Sequence, residues 1–230
     1  MDFQTIKDTV AATGMIVRGG FHPGADEIKG QTLVLVGNAG PKMWQAFSDA
    51  VPADSRDQDP HPLDTWTKRV LEGVAADLGA GALYPFGGPP YQPFQSWAVR
   101  AGGVHPSPTG PLIDAEFGLW HAYRGALVFD THIDLPEPPS HASPCESCAD
   151  KPCLDACPTD AFDPKGSERA DYDVKACVAH IADPAGRDCF TGGCLARRAC
   201  PWGRDYVYGT EQATFHMKKF VANHLPPSSS

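Results

Sequence analysis

All eight cysteines of this 230-residue chain fall between Cys145 and Cys200, and the first 144 residues have none. Thiols in such number are disulfides in an oxidising compartment and metal ligands or redox groups in a reducing one. The segment Met1 to Val10 carries Asp2, Lys7 and Asp8 and lacks the apolar run of a signal peptide. Aliphatic runs such as Leu33 to Val36 fall far short of the ~20 residues of a membrane span. The expectation is a cytoplasmic protein, not attached to a membrane, whose cysteines hold metal.

A proline-rich connection, Leu135-Pro-Glu-Pro-Pro-Ser-His-Ala-Ser-Pro144, precedes the first cysteine and reads as an extended linker. It divides the chain into an α/β body over 1–140 and a cysteine module over 141–225. A frayed tail, 226–230, follows. Acidic side chains outnumber basic ones 28 to 19, a net charge of −9. That balance argues against a protein whose main task is gripping a nucleic-acid backbone, since such binding runs on clustered Lys and Arg.

Within the body, Phe3, Ile6 and Val10 mark a short amphipathic helix ending near Gly14. Met15–Val17 and Thr32–Val36 read as strands, the second buried on both faces. The turn Gly37-Asn-Ala-Gly40 leads into a helix with Pro41 at its first position and Met43, Trp44 and Phe47 inward. Its free N–H groups could receive an anion at Asn38, or it is a plain tight turn. Pro62 opens a longer helix carrying Leu63, Trp66, Val70, Val74 and Leu78 at three- and four-residue spacing. A short helix over 94–101 and a long strand over 120–129 complete a sheet with helices packed on it.

The cysteines read Cys145-x2-Cys148-x4-Cys153-x3-Cys157-Pro158, then Cys177-x11-Cys189-x4-Cys194-x5-Cys200-Pro201. Two groups of four, each closing on Cys-Pro, resemble the bacterial two-cluster ferredoxins, in which the fourth cysteine of each run crosses to the other cube. The resemblance implies two [4Fe–4S] clusters, one on Cys145, Cys148, Cys153 and Cys200, the other on Cys157, Cys177, Cys189 and Cys194. The wider x4 and x5 gaps call for enlarged loops. Two structural zinc sites of four thiolates each are the alternative. Arg187, Arg197, Arg198 and Arg204 lie among the ligands, either offsetting cluster charge or forming a solvated face.

Three stretches, Cys157-Pro-Thr-Asp-Ala161, Asp173-Val-Lys-Ala-Cys177 and Gly193-Cys-Leu-Ala-Arg-Arg-Ala-Cys-Pro-Trp202, resemble the epoxyqueuosine reductases, cobalamin enzymes with two such clusters. Upstream, Phe117-Gly-Leu-Trp120-His-Ala-Tyr-Arg124-Gly125 and Asp134-Leu-Pro-Glu-Pro-Pro139 are similar to the cobalamin-processing proteins of the cblC type. That likeness covers about 100 residues and implies a nitroreductase-like α/β body binding cobalamin base-off. It nominates Phe117, Gly118, Trp120 and Arg124 as corrinoid contacts, Arg124 also for a thiol co-substrate, with Asn38 and His105 nearby. Core packing for Phe117 and Trp120, and an ion pair to Glu116 or Asp130 for Arg124, are the structural alternatives.

The reductases carry an acid in a V-D-T-x-P stretch, whereas here Tyr84-Pro-Phe-Gly-Gly-Pro-Pro90 has none. Their G-K-x-T turn is replaced by Ser107-Pro-Thr-Gly110, and no helical-repeat tail follows the cysteines. A tRNA substrate is therefore not expected. Tyr84, Tyr91 and Tyr123 remain as proton donors for a dehalogenase-like reaction. Neither a nucleophile elbow nor an isolated Cys–His pair is present. The expected activity is that of a cobalamin reductase or decyanase, an oxidoreductase passing electrons through two clusters to cobalamin for removal of its upper ligand. A flavodoxin, ferredoxin or flavin reductase would supply the electrons. A ferredoxin-type carrier without corrinoid, and a cobalamin-dependent reductase of an organic substrate, are the rivals.

Overall fold

Thr32 to Ala39 is apolar on both faces, and a strand of that kind must lie in the middle of a covered sheet. The computed structural model describes residues 1–163 and 170–225. In chain order the first elements are α1 (Phe3–Ala11), β1 (Ile16–Phe21), β2 (Thr32–Ala39), α2 (Lys42–Ala50), α3 (Ala53–Arg56), α4 (Pro62–Leu78), β3 (Gly81–Leu83) and α5 (Phe94–Ala101). Next come β4 (Val104–Pro106), β5 (Leu112–Asp114), β6 (His121–Phe129), α6 (Pro144–Ser147), α7 (Pro152–Asp155), β7 (Phe162–Asp163) and β8 (Asp171–Tyr172). The last are α8 (Val174–Ala182), α9 (Arg187–Gly192), α10 (Leu195–Ala199) and α11 (Thr210–His224). No helix among the described residues is long and apolar enough to cross a membrane.

The chain forms two units, one of residues 1–103 with 121–141, the other of 104–120 with the chain from 142 onward. The first is a four-stranded sheet in the order β1-β2-β6-β3, antiparallel at every pairing. Leu33, Val34, Leu35 and Val36 are inaccessible to solvent, as the sequence pattern requires of a central strand. Helix α2 buries Met43, Trp44 and Phe47, with Pro41 one position before its first residue. Helix α4 starts at Pro62 and stops at Gly79 in the left-handed conformation, burying Leu63, Trp66, Leu71, Val74 and Leu78. Leu71 takes the buried position in place of Val70, which is half-exposed.

Two sequence expectations change here. Gly37, Asn38 and Ala39 do not form a turn with free N–H groups. They continue β2, opposite Tyr123, Ala122 and His121 of β6. The second change concerns 104–120, which belongs with the cysteine-bearing unit and not with the sheet body. Ile113 and Leu119 bury themselves with Cys200, and Cys145 and Trp202 pack against them. Apolar burial thus ties this segment to Cys145 and to Cys200, the latter some eighty residues further along the chain.

In the second unit, β4 and β5 form a hairpin, and β7 pairs with β8 through Phe162 opposite Tyr172. Short helices carry the cysteines, and α11 packs along α8 and α9. The tail 226–230 lies outside the described residues.

Candidate metal centres

Eight free thiols are distributed over the short helices and their ends. Cys145 lies in α6, Cys148 caps its end, Cys153 lies in α7, and Cys200 follows α10. Cys177 lies in α8, Cys189 in α9, and Cys194 is the residue before α10, while Cys157 follows α7. Short helices suit this task, since each delivers one or two side chains and then turns the backbone.

The thiols sort into two sets of four by proximity. Burial pushes the Cys153 thiol up to about 11, with further upward pressure from Cys200, Cys145 and Cys148. Burial likewise raises Cys177, whose other upward influences are Cys194, Cys157 and Cys189. Cys145 is raised by burial and then by Cys200 and Cys148. Cys200 thus groups with the upstream thiols and Cys157 with the downstream ones. Cys157 and Cys200, which precede prolines, thus lie beside cysteines of the other run.

Cys157, Cys177, Cys189 and Cys194 line one apolar cavity of about 290 Å³, together with Phe162, Tyr172, His180 and His216. That is room for several waters, well beyond the needs of a lone ion. Among the described residues, no three His, Cys, Asp or Glu side chains converge on a single-ion position. Four thiolates on one zinc would stand about 3.8 Å apart, given a Zn–S bond of ~2.3 Å in tetrahedral geometry. A ring of soft donors around a cavity fits a polynuclear iron–sulfur group. Burial that raises thiols also leaves their anionic form in want of positive charge, which such a group supplies.

Backbone donors already face the sulfurs. The Ala161 N–H donates to Cys157 Sγ at 3.4 Å, and Thr159 Oγ1 lies 3.5 Å from the same sulfur. Burial raises the Cys189, Cys194 and Cys200 thiols, and the backbone N–H groups of Leu195, of Ala196 and Arg197, and of Trp202 respectively act in the lowering direction. Helix α10 links the sets, because Cys194 precedes it and Cys200 closes it. Six residues at 1.5 Å rise span about 9 Å.

The nominated corrinoid contacts divide between the two units. Phe117, Gly118, Trp120 and His105 are in the second. Trp120 is core, 2% exposed, edge-on to Tyr208 at 5.3 Å. Arg197 lies over both rings, 4.4 Å from Trp120 and 4.5 Å from Tyr208, and its Nε donates to the Leu119 carbonyl at 2.9 Å. Phe117 meets the ring of Tyr206 edge-on at 4.8 Å. Gly118 has φ +57°, and a Cβ there would stand 2.2 Å from the Trp202 carbonyl oxygen. Gly203, at φ +72°, meets the Phe117 carbonyl in the same way at 2.1 Å. The two glycines let the F-G-x-W and C-P-W-G segments touch backbone to backbone. His105 lies in β4 opposite Ile113.

Arg124 and Asn38 are in the sheet unit. Arg124 sits at a bulge, since Val36 pairs with Gly125 and Gly37 with Tyr123, and a bulge re-aims the extra side chain. Its guanidinium bonds Asp64 at 2.5 Å and Thr67 at 3.1 Å and lies over Phe86. Its carboxylate is therefore Asp64 and not Glu116 or Asp130. Asn38 is buried within β2. Cavities of about 680 Å³ and 400 Å³ open on this unit. Neither Asn38 nor Arg124 lines them, although Asp64 and Phe86, which hold Arg124, line the smaller. Tyr84 donates its hydroxyl to the Lys68 carbonyl at 3.3 Å, and burial pushes it up to about 12.

Sequence reasoning passed over Tyr172 and the packing of Arg197, and took Thr159 only as part of the Cys157–Ala161 motif. An aromatic five residues before a ligand carries no local signal, and its place emerges only when β8 pairs with β7.

No protein-family model matches the chain, and no curated protein matches it. Among solved structures, it is similar to epoxyqueuosine reductase from Streptococcus thermophilus, at 16% identity and TM-score 0.50, over 89% of this chain and 67% of that one. It is also similar to an epoxyqueuosine reductase crystallised with an epoxyqueuosine-modified tRNA stem loop, at 14% identity and TM-score 0.52, over 90% of this chain and 66% of that one. The C. elegans B12-trafficking protein CblC matches at 13% identity and TM-score 0.47, over 97% of this chain and 98% of that one. The chain spans about two thirds of the length of these reductases, and what it shares with them is the fold.

Proposed function

We propose that this protein is an iron–sulfur oxidoreductase that delivers electrons to cobalamin, its substrate, for reductive removal of the upper cobalt ligand. The observation that carries the reading is the crossed division of the thiols, Cys200 with Cys145, Cys148 and Cys153, and Cys157 with Cys177, Cys189 and Cys194. The fold likeness to epoxyqueuosine reductase supports it, as do the Cys-Pro-Trp ending and the F-G-x-W-x-A-x-R-G strand read from sequence.

When bound, the two clusters supply one-electron transfer at low potential. The chain's own contribution is placement. Eight thiols converge on short helices, N–H groups face the sulfurs, and α10 keeps the two sets about 9 Å apart along its axis. Addition of one electron to cyanocobalamin gives cobalt(II) and releases cyanide as the anion, with no proton acid needed. This agrees with a Tyr84–Pro90 stretch that has no carboxylate. A net charge of −9 disfavours a tRNA substrate.

A second reading, an electron carrier that takes no corrinoid, is favoured by one finding: neither Asn38 nor Arg124 lines the cavities of about 680 Å³ and 400 Å³ described above. Anaerobic protein mixed with cyanocobalamin and dithionite separates the two. Processing predicts a base-off spectrum, then cob(II)alamin and one equivalent of free cyanide. An unchanged cobalamin spectrum would establish the carrier, and binding without cyanide release would point to an external organic substrate.

A further inference from the structure

We infer that the hydroxyl groups of Tyr172 and Thr159 set the reduction potential of the cluster held by Cys157, Cys177, Cys189 and Cys194, and leave the other cluster untouched. The inference rests on the iron–sulfur reading of the thiols. Tyr172 and Thr159 both line the cavity ringed by those four sulfurs. Tyr172 lines that cavity together with Cys177, and its phenol can donate to a ligating sulfur there. Thr159 Oγ1 stands 3.5 Å from Cys157 Sγ, and toward a ligating thiolate, which has no proton, it can only donate.

Packing holds Tyr172 in position. Its ring stacks on Phe162 at 4.9 Å and 11°, opposite it in the β7–β8 ribbon. Phe162 in turn belongs to a buried cluster with Ala170 and Ala196, against which Cys157 and Cys194 pack. The phenol is thus aimed by apolar packing that a phenylalanine would keep. These are positioning residues, acting on the cluster through its ligands.

Reduction adds one electron and breaks no bond. A [4Fe–4S] group on four thiolates goes from net −2 to −3, and donors aimed at its sulfurs stabilise the more negative form. Removal of such a donor therefore lowers the potential. In the upstream set, the Ser143 hydroxyl stands beside Cys145 and accepts from its backbone N–H at 3.3 Å. That residue supplies a control for the other cluster.

The test is an anaerobic redox titration of the reconstituted full chain, followed by electron paramagnetic resonance. Tyr172→Phe is expected to shift the midpoint of one cluster to more negative potential and leave the other where it was. Thr159→Val should move the same midpoint in the same direction, and carries the test if the phenylalanine variant loads poorly. Ser143→Ala should move only the other. Unmoved midpoints in a chain with two clusters, or equal movement of both, overturns this inference alone. A wild-type chain that holds no iron overturns the cluster reading and this inference with it.

Discussion

Arg197 offers the most demanding test of how the cysteine-bearing unit is built. Its side chain donates through Nε and Nη2 to the Leu119 carbonyl and lies over the rings of Trp120 and Tyr208. Removal by Arg197→Ala loses a charge-assisted hydrogen bond worth ~1.5–3 kcal/mol and two cation–π contacts of about 0.5–1 kcal/mol each. The residue is half-exposed, so water recovers part of this loss, and a net cost of about 3 kcal/mol follows. Urea titration of the metal-loaded protein, read by far-UV circular dichroism and visible absorbance, should show it. With a slope of ~2 kcal/mol per molar, the midpoint should fall by about 1.5 M. Arg197→Lys keeps the charge without the planar fork, and should lose roughly half as much. Arg187 is exposed on α9 and serves as the control, with an expected change within ~0.5 kcal/mol for Arg187→Ala. A midpoint for Arg197→Ala no lower than that of Arg187→Ala would refute the clamp.

Gly118→Ala should destabilise the same unit by at least ~2 kcal/mol, from left-handed backbone strain and a methyl against the Trp202 carbonyl. Gly73→Ala, exposed in α4 with nothing within 4 Å of the new methyl, should stabilise by about 0.5–1 kcal/mol, and thermal melts compare the two. Iron analysis of paired substitutions tests the crossover. Adding Cys145→Ser to Cys200→Ser should cost no further iron, whereas adding Cys157→Ser should remove the second half. On the acid side, burial opposes ionisation of Glu27, but bonds from Arg100, the Gly24 N–H and Trp97 outweigh it and hold its carboxyl below the usual 4.5. That lowered value adds stability above pH 4.5 that is lost as pH falls through it. Glu27→Gln should flatten the stability–pH curve below 4.5 and leave the curve unchanged in shape near neutrality.

The pattern of the body was legible where burial leaves a period. The two-sided apolar run of β2 and the spacing on α4 both predict the observed elements, with Leu71 replacing Val70 because a seventeen-residue helix drifts relative to a strict repeat. The division of the thiols was an expectation from the resemblance of the two Cys-Pro-ended runs to two-cluster ferredoxins, since spacing alone does not say which cysteine joins which set. What local pattern could not give was anything set by contacts distant in sequence. The segment 104–120 reads as part of the body until Ile113 and Leu119 are seen to pack on Cys200. Trp120 and Phe117 carry motif positions and turn out to hold Tyr208 and Tyr206. Asp64 as partner of Arg124, sixty residues away in sequence, depends on a β-bulge that no periodicity announces.

The central claim is that eight thiols hold two four-iron groups. Iron, acid-labile sulfide and zinc in the anaerobically reconstituted chain test it most directly. Two such groups predict about eight iron and about eight sulfide per chain with no zinc. About two zinc with no sulfide would contradict it.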